Sequence, residues 1–139
     1  MEATIVECVM GVLAFGEKNK LVDYALFPKD PKKTAERLSR METGKIVDEL
    51  IDLIERLKTK GYTSFVFEND EVARNAHERL NVAVEVAHPS NAGELLRANL
   101  EKFAIQTGFV RKAEELREWT HEVSVELTKL RVRKAVERR

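Results

Sequence analysis

The chain has 139 residues, 43% apolar and 35% charged, with 24 Lys and Arg against 24 Asp and Glu. That length suits one domain with a real core, and the even charge balance argues against a module whose whole purpose is to grip nucleic acid. A single cysteine, Cys8, excludes an internal disulfide and fits a reducing cytoplasm, and no apolar run reaches the roughly 18 residues of a membrane span.

The N-terminus has no basic region ahead of its apolar stretch, so no export signal is expected. Ile5, Val6, Val9, Val12, Leu13 and Phe15 form a β-branched stretch interrupted by Gly11. A polar, turn-like segment over 16–20 follows, then a second apolar run over 21–27. The spacing predicts a hairpin, and with Gly11 as a break the whole reads as an antiparallel three-strand meander.

Asp30 is placed to cap a helix that has Pro31 at its first position and runs to about Met41. Thr43 is the expected cap of a second helix, in which Ile46, Val47, Leu50, Ile51, Leu53, Ile54 and Leu57 recur at helical spacing. Lys58 and Lys60 suit its negative end, and Gly61 its left-handed stop. Residues 62–67 are strand-like in composition. Asn69 caps a further helix, with Asp70 and Glu71 in its first turn and Asn81 at its end, and residues 82–86 make a last strand. Strand, short helix and strand predict a βαβ unit with parallel strands. The expected fold class is therefore α/β (α+β): a small mixed sheet packed with helices, followed by a long C-terminal helix.

Asn91 and Glu94 have capping-box spacing for the next helix, whose apolar face is Leu95, Leu96, Leu100, Phe103 and Ala104. Thr107 and Gly108 suggest a kink. Beyond them no Gly or Pro occurs, and Phe109, Ala113, Leu116, Thr120, Val123, Leu127 and Leu130 recur at alternating spacings of four and three, a heptad seam. Val125, Val132 and Val136 form a second stripe. The expected division is an α/β protein-binding domain over 1–106 and a helix over 107–139 that starts a coiled coil. At 1.5 Å per residue the 31 residues from Phe109 onward would make a helix about 46 Å long, so its distal half is expected to need a partner; the alternative is that it folds back over the sheet. The last eleven residues carry six basic side chains against Glu137 and no cap, so the helix is expected to continue in the natural protein. Trp119 lies off the seam and either packs on the domain or anchors a partner.

His77, His88 and His121 lie at no metal-ligand spacing from one another or from Cys8, which reads as a small buried hydrophobe. No Gly-rich phosphate loop is present, and the carboxylates interleave with Lys and Arg as on a solvated surface. No catalytic residue, metal ligand or cofactor is nominated, and no enzyme is expected. Two alternatives stand beside that reading: an RNA-binding module using the basic C-terminal helix, and a small α/β enzyme whose site forms only in space.

The run GVLAFGEKNKLVDYALF over 11–27 resembles the opening hairpin of the archaeal Nop family of box C/D small ribonucleoproteins. The run ANLEKFAIQTGF over 98–109 is similar to that family's passage from N-terminal domain to coiled coil. The resemblance covers essentially the whole chain. It implies that the α/β domain binds fibrillarin, the methyltransferase that 2′-O-methylates RNA at guide-specified positions, and that the helix pairs with a homologous Nop coiled coil. S-adenosylmethionine would belong to the partner. Guide RNA would be met only indirectly, because nothing here matches the family's RNA-contacting C-terminal domain. The implied location is the archaeal cytoplasm, the eukaryotic relatives being nucleolar.

The resemblance supplies no residue motif for the fibrillarin contact. Exposed loops at the carboxyl ends of the parallel strands supply candidates instead: Glu68, Asn69, Asp70, His88, Pro89, Ser90 and Asn91, with Arg74 and Arg97 beside them. Plain helix capping explains several of these residues equally well.

Overall fold

The computed structural model describes residues 1–138; Arg139, the last residue of the expected basic tail, lies outside them. Strands β1 (Glu2–Cys8), β2 (Gly11–Phe15) and β3 (Leu21–Leu26) form the antiparallel meander. Strand β4 (Ser64–Phe67) adds to β1 in parallel and β5 (Ala83–Val86) adds to β4 in parallel, giving the order β3-β2-β1-β4-β5. At the β1–β2 turn Gly11 takes φ +150°, and a Cβ there would run into the Ala25 carbonyl of β3.

Helices cover both faces of this sheet. Helices α1 (Pro31–Glu42), α2 (Asp48–Thr59) and α3 (Asp70–Leu80) precede α4 (Asn91–Ala98), α5 (Leu100–Gln106) and α6 (Ala113–Glu137). Alternation along the strands sends Ala3, Ile5, Val12, Phe65 and Phe67 to one face, against Leu50, Leu53, Ile54 and Leu57 of α2 and Ala73 and Ala76 of α3. Val6, Leu13 and Phe15 face the other way, against Leu96, Phe103, Leu116, Trp119 and Val123. Interior strand β2 is buried throughout, which is why it reads as an unbroken apolar run.

The expected caps at Asp30 and Asn69 are made: each side chain accepts two N–H groups from the first turn it precedes. Gly61, at φ +96°, closes α2 with the Tyr62 N–H donating to the Leu57 carbonyl at 3.0 Å.

Several local expectations are corrected. Thr43 closes α1 instead of opening α2, its hydroxyl donating to the Arg40 carbonyl at 2.9 Å. Gly44, at φ +84°, completes that stop, so Ile46 and Val47 are buried in extended chain and α2 starts at Asp48. Ser90, not Asn91, caps α4, accepting the Gly93 N–H at 2.9 Å. The single helix expected after it is two: Asn99 turns back to the Leu95 carbonyl and ends α4, leaving Leu95 at the surface. Thr107 and Gly108 are a full stop where a kink was expected. The buried Thr107 hydroxyl donates to Phe103 at 2.9 Å and Gly108 takes φ +77°. Phe109 and Val110 then drop into the core in non-helical chain, and the last helix begins at Ala113.

At 25 residues α6 is about 37 Å long. Its first half folds back on the domain, burying Leu116, Trp119 and Val123 in a core that runs unbroken across residue 106. It also lies along α1, where Arg131 pairs with Glu42 at 2.8 Å and Lys134 donates to Ser39 at 2.6 Å. From Arg131 to Arg138 every residue is exposed.

Candidate functional site

Strands β1, β4 and β5 run the same way, so their carboxyl ends open on one edge of the sheet, the usual crevice of open α/β folds. There Glu7, Glu68, Asn69, Asp70, His88 and Arg97 line a cleft of about 550 Å³.

Glu68, just past β4, organises its floor. Its carboxylate accepts both Arg97 guanidinium nitrogens, at 3.1 and 3.0 Å, and the Ser90 backbone N–H at 2.8 Å. The Ser90 hydroxyl adds a further bond at 3.1 Å. Burial works against the charge on Glu68, but the Arg97 fork and the Ser90 donors outweigh it and hold the carboxyl below its usual range. The same fork raises the pKa of Arg97. Gly93 makes the approach possible, since a Cβ there would collide with the Glu68 carboxylate. One ion pair thus ties β4, the loop after β5 and α4 together.

Glu7, at the end of β1, has the opposite environment. Its Oε2 is buried with no hydrogen-bond partner among the described residues. Burial, reinforced by the negative charges of Glu42 and Glu68, pushes its pKa up to about 7. A small pocket of about 50 Å³, walled by Ile5, Met41, Phe67 and Val72, lies against it. At neutral pH this acid is only partly ionised, and its Oε2 meets no donor among the described residues.

Of the nine loop and helix residues nominated from sequence, Glu68, Asn69, Asp70, His88 and Arg97 meet in this cleft. Ser90 stands behind them, buried, holding Glu68 and capping α4. The Asn69 side-chain oxygen is occupied by the α3 cap. Pro89, exposed, follows His88 through a cis peptide. Asn91 opens on a separate cleft with Thr4, Val66 and Glu85, and Arg74 is an exposed residue of α3 that does not line the site. Sequence reasoning missed Glu7, Glu71 and Val86, which is 44% exposed in the cleft wall. The signal for Glu7 was its alternation: it shares a strand face with the core residues Ala3 and Ile5.

The residues of the expected helical seam divide. Phe109 is buried ahead of the helix, its ring edge-on to Trp119 at 5.3 Å. Ala113 is the first helical residue and half-buried. Leu116 and Val123 are buried against the domain, Leu127 and Leu130 are half-buried, and Thr120 is exposed. Trp119 packs on the domain, its Nε1 donating to the Val9 carbonyl at 3.1 Å. The second stripe, Val125, Val132 and Val136, points outward at 40%, 58% and 59% exposure.

A family model described as the archaeal Nop5/56-related N-terminal domain matches residues 2–133. Among solved structures, the Nop N-terminal domain of Methanocaldococcus jannaschii is similar, with a TM-score of 0.53 and 21% identity. The match covers 96% of this chain and 98% of that one. At that identity the likeness speaks for the fold. Comparison with curated proteins gave no match.

Proposed function

This chain belongs to the archaeal Nop5/56-related N-terminal domain family, and from that premise we propose that it is a non-catalytic scaffold domain of a box C/D ribonucleoprotein that docks the methyltransferase fibrillarin. The observation that carries the choice of surface is the cleft at the strand ends. It combines Glu7, whose buried Oε2 has no partner among the described residues, with an exposed apolar residue, Val86, and acidic rims at Asp70 and Glu71. Such a surface fits a partner presenting a basic side chain amid apolar contacts. The scaffold reading is preferred to an enzyme because the ionisable groups here serve structure: Glu68 and Arg97 hold each other, and Asn69 and Ser90 cap helices. The methyl donor, S-adenosylmethionine, then belongs to the partner, in the archaeal cytoplasm.

The outward stripe Val125, Val132 and Val136 is the part of α6 free to pair with another Nop helix, since Leu116 and Val123 are already used within the domain. Mixing the domain with fibrillarin on a sizing column tests the proposal. A 1:1 complex stable at modest salt is expected, and separate elution at low salt defeats it.

A further inference from the structure

Arg97 is also the wall of a second cleft, of about 780 Å³, between the α4–α5 elbow and one flank of α6. Its lining is opposite in character to the acidic cleft. The elbow contributes Lys102, and α6 contributes Arg117, Thr120, His121 and Ser124. Glu101 is its only carboxylate; it is half exposed and stands 3.7 Å from Arg117, a contact worth little in water. Lys102 lies 5.9 Å from the centre of the Phe103 ring and has no ion-pair partner among the described residues.

Arg117, Thr120, His121, Ser124 and Thr128 recur three or four residues apart and so share one face, all of them exposed. Glu114 and Glu118 stand one turn from Arg117 and His121 at the border of this face, with Glu122 and Glu126 farther round the helix, and none of the four lines the cleft. Neither the Thr120 nor the Ser124 hydroxyl has a protein partner among the described residues, so both are free to donate. Cations and hydroxyl donors on two walls, with a single loosely held carboxylate, are the recognition chemistry of a phosphate oxygen.

We propose that this cleft binds the phosphate of a nucleotide or of an RNA backbone, through Lys102, Arg117, His121, Thr120 and Ser124. The volume lies in the range of small-ligand sites. Phe103 and Trp119 are buried, so neither offers a stacking platform to a base; recognition there is of the backbone, independent of sequence and sensitive to salt. The proposal does not rest on the docking cleft.

The test uses the whole chain with two probes: a labelled oligouridylate followed by fluorescence anisotropy, and AMP followed by calorimetry. Binding of at least one is expected at low salt. Lys102→Ala with Arg117→Ala should weaken it about tenfold, and for RNA should flatten the salt dependence by about 1.4, at 0.7 for each lost contact. Lys102→Arg with Arg117→Lys should restore most of the affinity, and Arg133→Ala with Arg138→Ala should leave it within about twofold. The substituted side chains are surface ones, and an unchanged melting curve establishes that the fold is intact. AMP binding alone identifies a nucleotide pocket and RNA binding alone a backbone track; either supports the proposal. No binding of either probe overturns it, as does a Lys102→Ala/Arg117→Ala protein that binds like the parent or a loss of binding confined to the Arg133/Arg138 variant.

Discussion

At the scale of single residues, the two carboxylates of the acidic cleft pull stability in opposite directions with pH. Glu7 titrates near 7 in the fold against an ordinary 4.5, so the folded state holds its proton more tightly. Its contribution is fullest below about pH 4.5, fades as pH rises towards 7, and is then constant. Glu7→Gln keeps the shape and removes the charge. It should raise the melting temperature by several degrees at pH 8 and change it little at pH 4, where the native carboxyl is already neutral. Equal shifts at both pH values would contradict the assignment. Glu68 behaves in reverse: its pKa is lowered, so the Arg97 pair contributes fully above the ordinary carboxylate value of 4.5 and fades below it, lost only as pH falls through the lowered value in the fold. Glu68→Gln should therefore destabilise at pH 7, by an amount that shrinks as pH falls below the ordinary carboxylate value, read by the same melts. Sequence pointed to Glu68 through its position in a loop. Glu7 escaped because an acid in a strand reads as an outward-facing residue until the partners of its neighbours are known.

At the scale of elements, the expected strands and most caps appear, because alternation, Asn, Asp and Gly carry local signals. The misplacements fall where one residue serves two candidate roles. Thr43 is a good cap in either direction, and only the left-handed Gly44 behind it settles that it closes α1. Helix α6 is the larger lesson. A heptad stripe looks the same whether its own domain or a second helix covers it, and here the domain takes Leu116 and Val123 with Trp119 beside them. Trp119 is the chain's single tryptophan and bonds to Val9, so it reports on docking of this helix. Trp119→Ala should cost about 3–5 kcal/mol. Hydrogen exchange should then quicken over 116–127 towards the rate already expected for 131–138, where nothing is buried. Unchanged protection over 116–127 would show that α6 is held elsewhere.

At the scale of the whole molecule, the sheet carries its ion-paired cleft at one edge, and α6, about 37 Å long, buries its first half in the core and runs its exposed second half along α1. That arrangement suits the proposed scaffold: strand ends that open on a cleft, a helix whose last turns are exposed, and a flank of that helix polar enough to meet phosphate. The architecture was legible from periodicity and capping, and the family from the hairpin and the α5–α6 passage. The docking cleft was legible only in part, since it is built from residues up to ninety positions apart that no local pattern joins, Glu7 and Arg97 among them. The central claim is that fibrillarin docks in this cleft. The most direct measurement is the affinity of fibrillarin for the parent chain, for Asp70→Arg with Val86→Arg in the cleft wall, and for Arg74→Ala outside it. The account predicts a 1:1 complex that the cleft substitutions weaken at least about tenfold, roughly 1.4 kcal/mol, while Arg74→Ala leaves it unchanged. Absence of a complex, or equal affinity for the parent and the cleft variant, would contradict it.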